Sequence, residues 1–355
     1  MIVFNDLLEE FEEARRNAYI SAITLKGQGK IVAGIFGKNI PREILWALEI
    51  TPVNVYSIDG SNICESEGFI DSGRCSLVKA SYGYTVTERC PLIYSSDIII
   101  SNNACPHKTS MISKLSGFKE SYIIEDYKEV EKQAAEYKKF AEYLENKFNK
   151  RLNKQALHSV IQKTNKINTM TKKIMEMYMS GEYPISVYDL HSIIYGSQFF
   201  LDLDERYAKL SQMSDALENL RIEKTPMEKN NIKKVFITGA PLAGLTQEIL
   251  KPLSIMKNIF VVLSQSLCEG ENYQPINEGE NPYLNLAEKY IRDDDEMNEF
   301  LRGNDTGAII DVKLSGCDVL KITEMNTSLP SLSLTVDYDY DIEKINKALH
   351  FFIHN

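Results

Sequence analysis

Cysteines are the residues of this chain best suited to chemistry. There are six of them, Cys64, Cys75, Cys90, Cys105, Cys268 and Cys317. Six thiols are too few to staple a chain of 355 residues as a disulfide scaffold, and a reducing compartment would keep them as thiols. Isolated cysteines are often buried as small hydrophobic residues, so a chemical role has to be argued from their positions.

The cysteine spacing is unlike that of compact metal motifs. Cys75, Cys90 and Cys105 are spaced evenly, fifteen residues apart, whereas zinc ribbons use tight CxxC pairs and ferredoxins use closely packed cysteines. Sulfur ligation favours an iron-sulfur cluster or zinc. None of the five histidines has a paired metal spacing, although His107 lies two residues after Cys105. The pattern predicts a metal site assembled from distant loops.

The elements that must position these thiols are short runs rich in Ile and Val. Bounded by polar residues, Gly or Pro, they are typical of parallel strands buried on both faces. We predict strands at 30–36, 52–58, 97–101, 121–125, 233–238, 259–263, 307–312 and 332–336. Helical segments such as 41–50 and 245–256 separate them. This alternation predicts an α/β fold with two Rossmann-like parallel-sheet domains.

Long charged segments with apolar residues at helical spacing fill the middle of the chain and predict a helical insert. The domain organisation predicted is therefore an N-terminal α/β domain at 1–126 carrying Cys75, Cys90 and Cys105, a mainly helical linking region at 127–230, and a C-terminal α/β domain at 231–355 carrying Cys268 and Cys317.

Three cysteines come just after predicted strands. Cys105 follows strand 97–101, Cys268 follows 259–263 and Cys317 follows 307–312. In open α/β sheets, ligands bind at the carboxyl edge of the strands. The sequence therefore predicts that the thiols meet in the cleft between the two domains.

The GAPLAG segment at 239–244 has the outer glycines of a phosphate loop. It lacks the Lys-Ser/Thr pair that would hold phosphate and magnesium, so we predict a strand-to-helix turn and no nucleotide site. No flavin or nicotinamide is predicted either.

Charge and hydropathy exclude several classes of partner. A formal net charge of -10 and the lack of long Lys/Arg runs argue against nucleic acid. Acidic residues interrupt the first segment as they would not in a secretory signal, and no run approaches the ~18 apolar residues of a membrane span. We expect a cytoplasmic protein without a membrane partner.

The segment RCSLVKASYGYTVTERCPLIYSSDIIISNNACPHKTSM at 74–111 resembles the cluster-binding segment of the 2-hydroxyacyl-CoA dehydratase and benzoyl-CoA reductase superfamily. The chain resembles its D-component and is most similar to the double-cubane cluster proteins. The resemblance continues, in family order, through IVAGIFGKNIPREILWALEITPV, VFITGAPLAG, VVLSQSLCEG and IIDVKLSGCD, and so covers nearly the whole chain. It implies a 4Fe-4S cluster on Cys75, Cys105 and Cys317. Cys90 and Cys268 match additional cysteines of the double-cubane relatives.

This chain departs from the family in two places. The relatives have a further cysteine in a loop after the segment matching 286–290, and here that loop looks deleted, leaving IRDDDEMNEF. Cys64 is a spare thiol that does not match the missing position, so the choice between one cubane and two stays open. The second departure is PHK after Cys105, where relatives usually have an acidic residue and then Gly; His107 could alter hydrogen bonding to the cluster or merely fill the turn.

The resemblance also implies a mechanism. In the superfamily, an ATP-hydrolysing iron-sulfur activator supplies one low-potential electron, which reaches a thioester carbonyl and generates a ketyl radical. The expected protein is an oxygen-sensitive, anaerobic iron-sulfur component for reductive dehydration of a 2-hydroxyacyl-CoA or a related difficult reduction. It would be a lyase or an ATP-coupled oxidoreductase, working as a homodimer or as a heterodimer with a paralogous subunit. Whether the substrate is an acyl-CoA or another small molecule is open.

Two other functions remain at this stage. One is a non-catalytic or degenerate electron-transfer subunit that supports a paralogous partner, which the shortened loop favours. The other is a cluster-free binding module of the same fold.

Overall fold

The computed structural model describes residues 2–222, 232–268, 271–291, 306–318 and 329–354. Within these ranges lie two four-stranded sheets in which every strand pairing is parallel, surrounded by helices. This confirms the predicted α/β fold class with two Rossmann-like sheets. The segment after Ile291, where the sequence analysis expects a missing loop, lies outside the described residues, which resume at Thr306.

The strands occur where Ile and Val are concentrated. They are β1 Ile31–Phe36, β2 Ile50–Asn54, β3 Ile98–Asn102, β4 Ser121–Ile124, β5 Lys233–Gly239, β6 Ile259–Leu263, β7 Thr306–Leu314 and β8 Ser331–Val336. The helices are α1 Ile2–Gly27, α2 Arg42–Ala47, α3 Ser76–Val86, α4 Pro91–Ser95, α5 Pro106–Leu115, α6 Val130–Phe148, α7 Lys154–Ser180, α8 Val187–Ser197, α9 Leu203–Glu218, α10 Leu245–Ile255, α11 Pro282–Ile291 and α12 Ile342–His354. Short 3₁₀ helices cover Ile63–Ser66 and Gln265–Cys268.

All eight predicted strands are present, but both bounds of the second were wrong, since β2 ends at Asn54 and not at 58. The helix predicted at 41–50 ends at Ala47, and the strand predicted at 52–58 begins earlier, at Ile50. Glu49 has a left-handed φ of 54°, which ends the helix and turns the chain directly into β2. Ile50, the last residue of the predicted helix, instead pairs with Ile31 in the sheet.

The two sheets have the same strand order. The first is β2-β1-β3-β4 and the second is β6-β5-β7-β8. The chain therefore crosses over between β1 and β3 in one sheet, and between β5 and β7 in the other. At such a switch point the connections leave in opposite directions and open a crevice beyond the carboxyl ends of the strands.

Both faces of the first sheet are buried. On one face, Val32 and Ile99 pack in a core that includes residues of α1, α3 and α4. On the other face, Ile35 and Ile98 pack in a core with residues of α6, α7 and α11. A strand covered on both sides has to be apolar at successive positions, which is the pattern seen in the sequence.

Helices α6 to α9 fall within the region predicted as a helical insert. The N-terminal helix α1 packs on α8 and α9 as well as on the first sheet. Helix α11, from the segment assigned to the C-terminal domain, packs on α6. The exact domain boundaries stay predictions. Among the described helices, none combines the length and apolarity needed to cross a membrane.

A buried ionic network ties the segment before α11 to the first half. The carboxylate of Glu271 binds the guanidinium groups of Arg42 and Arg206, and Arg42 also donates to Asn54 Oδ1 at 2.6 Å. Burial by itself would raise the pKa of Glu271, but the two guanidinium groups outweigh it and lower the pKa to about 2. A charge held in this way keeps the three segments in a fixed arrangement.

Candidate functional site

A cavity of about 370 Å³ lies at the switch points of both sheets. We call it the cysteine cavity, because Cys75, Cys105 and Cys317 line it. Its other described lining residues are Phe36, Lys38, Asn39, Tyr56, Leu77, Val78, Ser81, Asn102, Ala104, His107, Lys108, Met111, Gly239, Ala240, Pro241 and Ser266. The lining therefore comes from the segments after β1, β2, β3, β5, β6 and β7, and from α3.

Two of the three cysteines stand at helix starts. Cys75 is the N-cap of α3 and Cys105 is the N-cap of α5. The first amides of a helix carry partial positive charge, which favours a thiolate at this position. The backbone amides of Leu77 and Val78 lower the pKa of Cys75. The local sequence thus places both cysteines at helix N-termini that meet the cavity.

The third cysteine reaches the first two through close backbone packing between the halves of the molecule. The amide of Ser76 donates to the carbonyl of Ser315 at 3.1 Å. Gly316 has a left-handed φ of 72°, and a Cβ at this residue would lie 2.6 Å from the carbonyl oxygen of Arg74. Only a glycine lets the Cys317 loop approach the Cys75 loop this closely.

As a result, the Cys75 and Cys317 thiols contact each other directly. Their hydrogen bond is the main cause that raises the pKa of Cys75 well above that of an ordinary thiol, and burial adds to it. Both side chains are buried, whereas Cys105 is partly exposed. The structure therefore brings together the three cysteines that the family resemblance assigns to one cluster.

A buried lysine lies beside these thiols. The Lys108 ammonium donates to Asn102 Oδ1 at 2.6 Å, and Asn102 Nδ2 in turn donates to Asp126 at 2.8 Å. Burial lowers the pKa of Lys108 to about 8, while the negative charge of a Cys105 thiolate acts in the opposite direction. A Cβ at Gly37, whose φ is 144°, would lie 2.7 Å from the ammonium nitrogen. The space for Lys108 thus depends on a glycine at the end of β1.

The charged side chains that line the cavity are positive. Lys38 and Lys108 contribute cationic groups, and no Asp or Glu occurs among the described residues that line the cavity. Most of the wall is apolar, with Phe36, Val78 and Met111 among its members. Low polarity strengthens the interaction of these cations with any bound anion.

His107 borders the same cavity at the start of α5 and is buried. Its Nε2 lies 3.7 Å from Oδ2 of Asp318, the residue after Cys317. Its Nδ1 is buried and has no hydrogen-bond partner among the described residues.

The remaining cysteines lie elsewhere. Cys90 is the buried N-cap of α4, and Cys268 is buried at the end of a 3₁₀ helix, where its carbonyl accepts a hydrogen bond from Gln198 at 2.7 Å. Neither is among the described residues that line the cavity. Cys64 is exposed. The assignment of Cys90 and Cys268 to a second cluster stays a prediction.

The donor set is suited to an iron-sulfur cluster. Among the described residues, no three His, Cys, Asp or Glu side chains converge closely enough to hold a single metal ion. A cubane distributes its thiolates over different irons, so its ligands lie farther apart than those of one ion. Cys75 and Cys317, which are hydrogen-bonded here, would have to rotate apart to bind two irons. The apolar walls and nearby cations suit the negative charge of a thiolate-bound cluster.

Sequence reasoning missed part of the lining. GAPLAG forms the predicted turn between β5 and α10, yet Gly239, Ala240 and Pro241 also line the cavity. The available signal was its place after β5, the strand matching β1 of the first sheet. Lys108 had no comparable signal, because its burial depends on contacts with Asn102 and Gly37.

Comparison with known proteins finds a match over most of the chain. The family described as "2-hydroxyglutaryl-CoA dehydratase, D-component" matches residues 39–353, a range that includes all six cysteines. The chain is also 22% identical, over 380 residues, to a protein of Escherichia coli (strain K12) described as "Putative dehydratase subunit YjiM", covering 98% of this chain and 97% of that relative.

Proposed function

Because the chain belongs to the 2-hydroxyglutaryl-CoA dehydratase D-component family, we propose that it is an oxygen-sensitive 4Fe-4S component that dehydrates a 2-hydroxyacyl-CoA. It receives low-potential electrons from an ATP-hydrolysing iron-sulfur activator. The observation that carries the proposal is the convergence of Cys75, Cys105 and Cys317 on one cavity at the switch points of both sheets.

The three cysteines would each bind one iron of the cluster. When bound, a 4Fe-4S cluster supplies a single low-potential electron. Cys75 and Cys317 come from different halves of the chain, so the two halves must be correctly packed before the ligands can assemble. The tight contact of Gly316 with Arg74 provides that packing.

Electron supply answers a specific chemical difficulty. Dehydration of a 2-hydroxyacyl thioester removes a proton from the carbon next to the one that bears the hydroxyl. This C–H group is too weak an acid for a side-chain base near neutral pH. The apolar wall excludes water from the reaction, and Lys108 places a positive charge near Cys105. In this role Lys108 compensates thiolate charge and can donate a hydrogen bond to an acyl oxygen.

The cluster is tested by iron and acid-labile sulfide measured on the full chain, purified without oxygen. We expect about four irons per chain for one cubane. Cys105→Ser should reduce the iron content severalfold, whereas Cys64→Ser, at the exposed cysteine, should leave it unchanged. About eight irons, lowered by Cys90→Ser or Cys268→Ser, would show a double cubane. No iron or sulfide after anaerobic reconstitution would overturn the proposal.

The reaction is tested with the activator, ATP and a panel of 2-hydroxyacyl-CoA thioesters. ATP-dependent formation of the enoyl thioester, by this chain alone or with a paralogous subunit, supports a dehydratase component. If the cluster is reduced by the activator but no thioester reacts in either assembly, the chain is an electron-transfer subunit and the dehydratase proposal is wrong. The mass of the active assembly separates a homodimer from a heterodimer.

A further inference from the structure

We propose that His107 is the fourth ligand of the cluster and binds iron through Nδ1. The inference rests on the proposed function, because it requires a cluster on Cys75, Cys105 and Cys317. Three protein thiolates leave one iron of a cubane without a protein ligand. A histidine bordering the same cavity is the group that can complete the coordination.

The position of the ring supports this role. His107 follows Cys105, the N-cap of α5, by two residues and therefore lies in the first turn of that helix. Only about 8% of its surface is exposed. The residue also lines the cavity together with all three cysteines.

The state of the two ring nitrogens points to Nδ1. Nε2 lies 3.7 Å from the carboxylate of Asp318, just beyond hydrogen-bond distance, and this nearby negative charge favours a proton on Nε2 rather than on Nδ1. Nδ1 then carries a lone pair, and within the described part of the chain this buried atom has no partner. Leaving a buried acceptor unsatisfied is destabilising, and coordination to iron removes that cost.

The arrangement of a carboxylate, a histidine and a metal is a known way to orient an imidazole ligand. Here the carboxylate comes from the residue after Cys317, while the histidine comes from the helix that begins after Cys105. The loop that supplies Cys317 would thereby orient His107, which lies beside Cys105. Imidazole also replaces thiolate on iron in Rieske centres, where it raises the potential.

Ligation by His107 has a consequence for the proposed reaction. The bond forms by donation of the Nδ1 lone pair to iron, with no change of oxidation state. A substrate oxygen that is to reach this iron has to displace the imidazole. The resting cluster would then have no iron position left open for a substrate oxygen.

The test uses the full chain, reconstituted without oxygen, reduced by one electron and labelled with ¹⁵N-histidine. Pulsed electron paramagnetic resonance should show a nitrogen coupling that changes with the isotope. His107→Gln should abolish this coupling, while the surface variant His350→Gln retains it. His107→Cys should keep the iron content and give a spectrum without histidine coupling.

Two results separate failure of this inference from failure of the proposed function. A cluster with about four irons but no isotope-sensitive nitrogen coupling in the unmodified chain overturns His107 ligation and leaves the function intact. Retention of the coupling in His107→Gln overturns it as well. Absence of iron and sulfide removes the proposed function itself. The measurement on the unmodified chain does not depend on how any variant folds.

Discussion

Replacing Gly316 by alanine should push apart the two loops that carry Cys75 and Cys317. The added Cβ would lie 2.6 Å from the carbonyl oxygen of Arg74 and 2.8 Å from that of Gly73. Both neighbours are backbone atoms, so neither can turn away as a flexible side chain could. The Cys317 loop has to move, so the Cys75 and Cys317 thiols should no longer contact each other.

The cost has two parts. A residue with a Cβ in the left-handed conformation costs roughly 1–2 kcal/mol. Overpacking against fixed neighbours costs about 1–3 kcal/mol more. The free energy of unfolding of Gly316→Ala should therefore fall by about 2–5 kcal/mol, the sum of these two ranges.

Gly29 provides a matched control. Its φ of 71° is nearly the same as the 72° of Gly316, but a Cβ at Gly29 would have no atom within 4 Å. Gly29→Ala should therefore carry only the conformational cost, about 1–2 kcal/mol. The difference between the two variants isolates the contact between the cysteine loops.

The assay is urea unfolding of both variants, together with iron content after anaerobic reconstitution. A lower midpoint at unchanged slope reports stability. Gly316→Ala should lose stability beyond Gly29→Ala and bind severalfold less iron, whereas Gly29→Ala should bind iron normally. Equal stability and equal iron content in the two variants would refute the contact between the loops as a requirement of the site.

Two further predictions concern buried charges. Glu271→Gln leaves Arg42 and Arg206 without their carboxylate and should cost about 3–5 kcal/mol in urea unfolding at pH 7. The pKa of Glu271 is lowered from 4.5 to about 2, so its stabilising effect is complete above pH 4.5 and disappears as the pH falls toward 2, where wild type and variant should converge; a difference independent of pH would contradict this. Lys108→Met removes a cation beside Cys105, so the cluster should be harder to reduce and its midpoint potential should fall at unchanged iron content. Lys132→Met, on the exposed side of α6, is the control and should leave the potential unchanged. Equal potentials in the two variants would show that Lys108 does not act on the cluster.

The strands could be predicted because a strand buried on both faces needs apolar residues at successive positions. Ile98, Ile99 and Ile100 are all fully buried, so three apolar residues follow one another at the start of β3. The boundary near Ile50 failed for a different reason. PREILWALEI has the apolar spacing of a helix, and only pairing with β1 assigns its last residue to a strand.

The cysteine site was partly predictable for a topological reason. Cys105 and Cys317 follow strands whose carboxyl ends are adjacent to switch points, so their positions follow from strand order. Cys75 has no strand directly before it and was placed by family resemblance alone. The contacts that complete the site, such as Gly37 with Lys108 and Gly316 with Arg74, join residues far apart in the chain. Spacing in the sequence carries no signal for them.

The repeated strand order explains why the site needs both halves. Each sheet alone offers one crevice beyond its central strands, and the cysteine cavity forms where the two crevices face each other. Cys75 and Cys105 belong to one crevice and Cys317 to the other, so the distance between the sheets decides whether three sulfurs can bind one cluster. Backbone contacts at Gly316 set that distance near the thiols, and the ion pairs of Glu271, after β6, with Arg42, after β1, and with Arg206 add a second link between the halves. A change at either place should therefore alter cluster binding even though neither residue is a ligand.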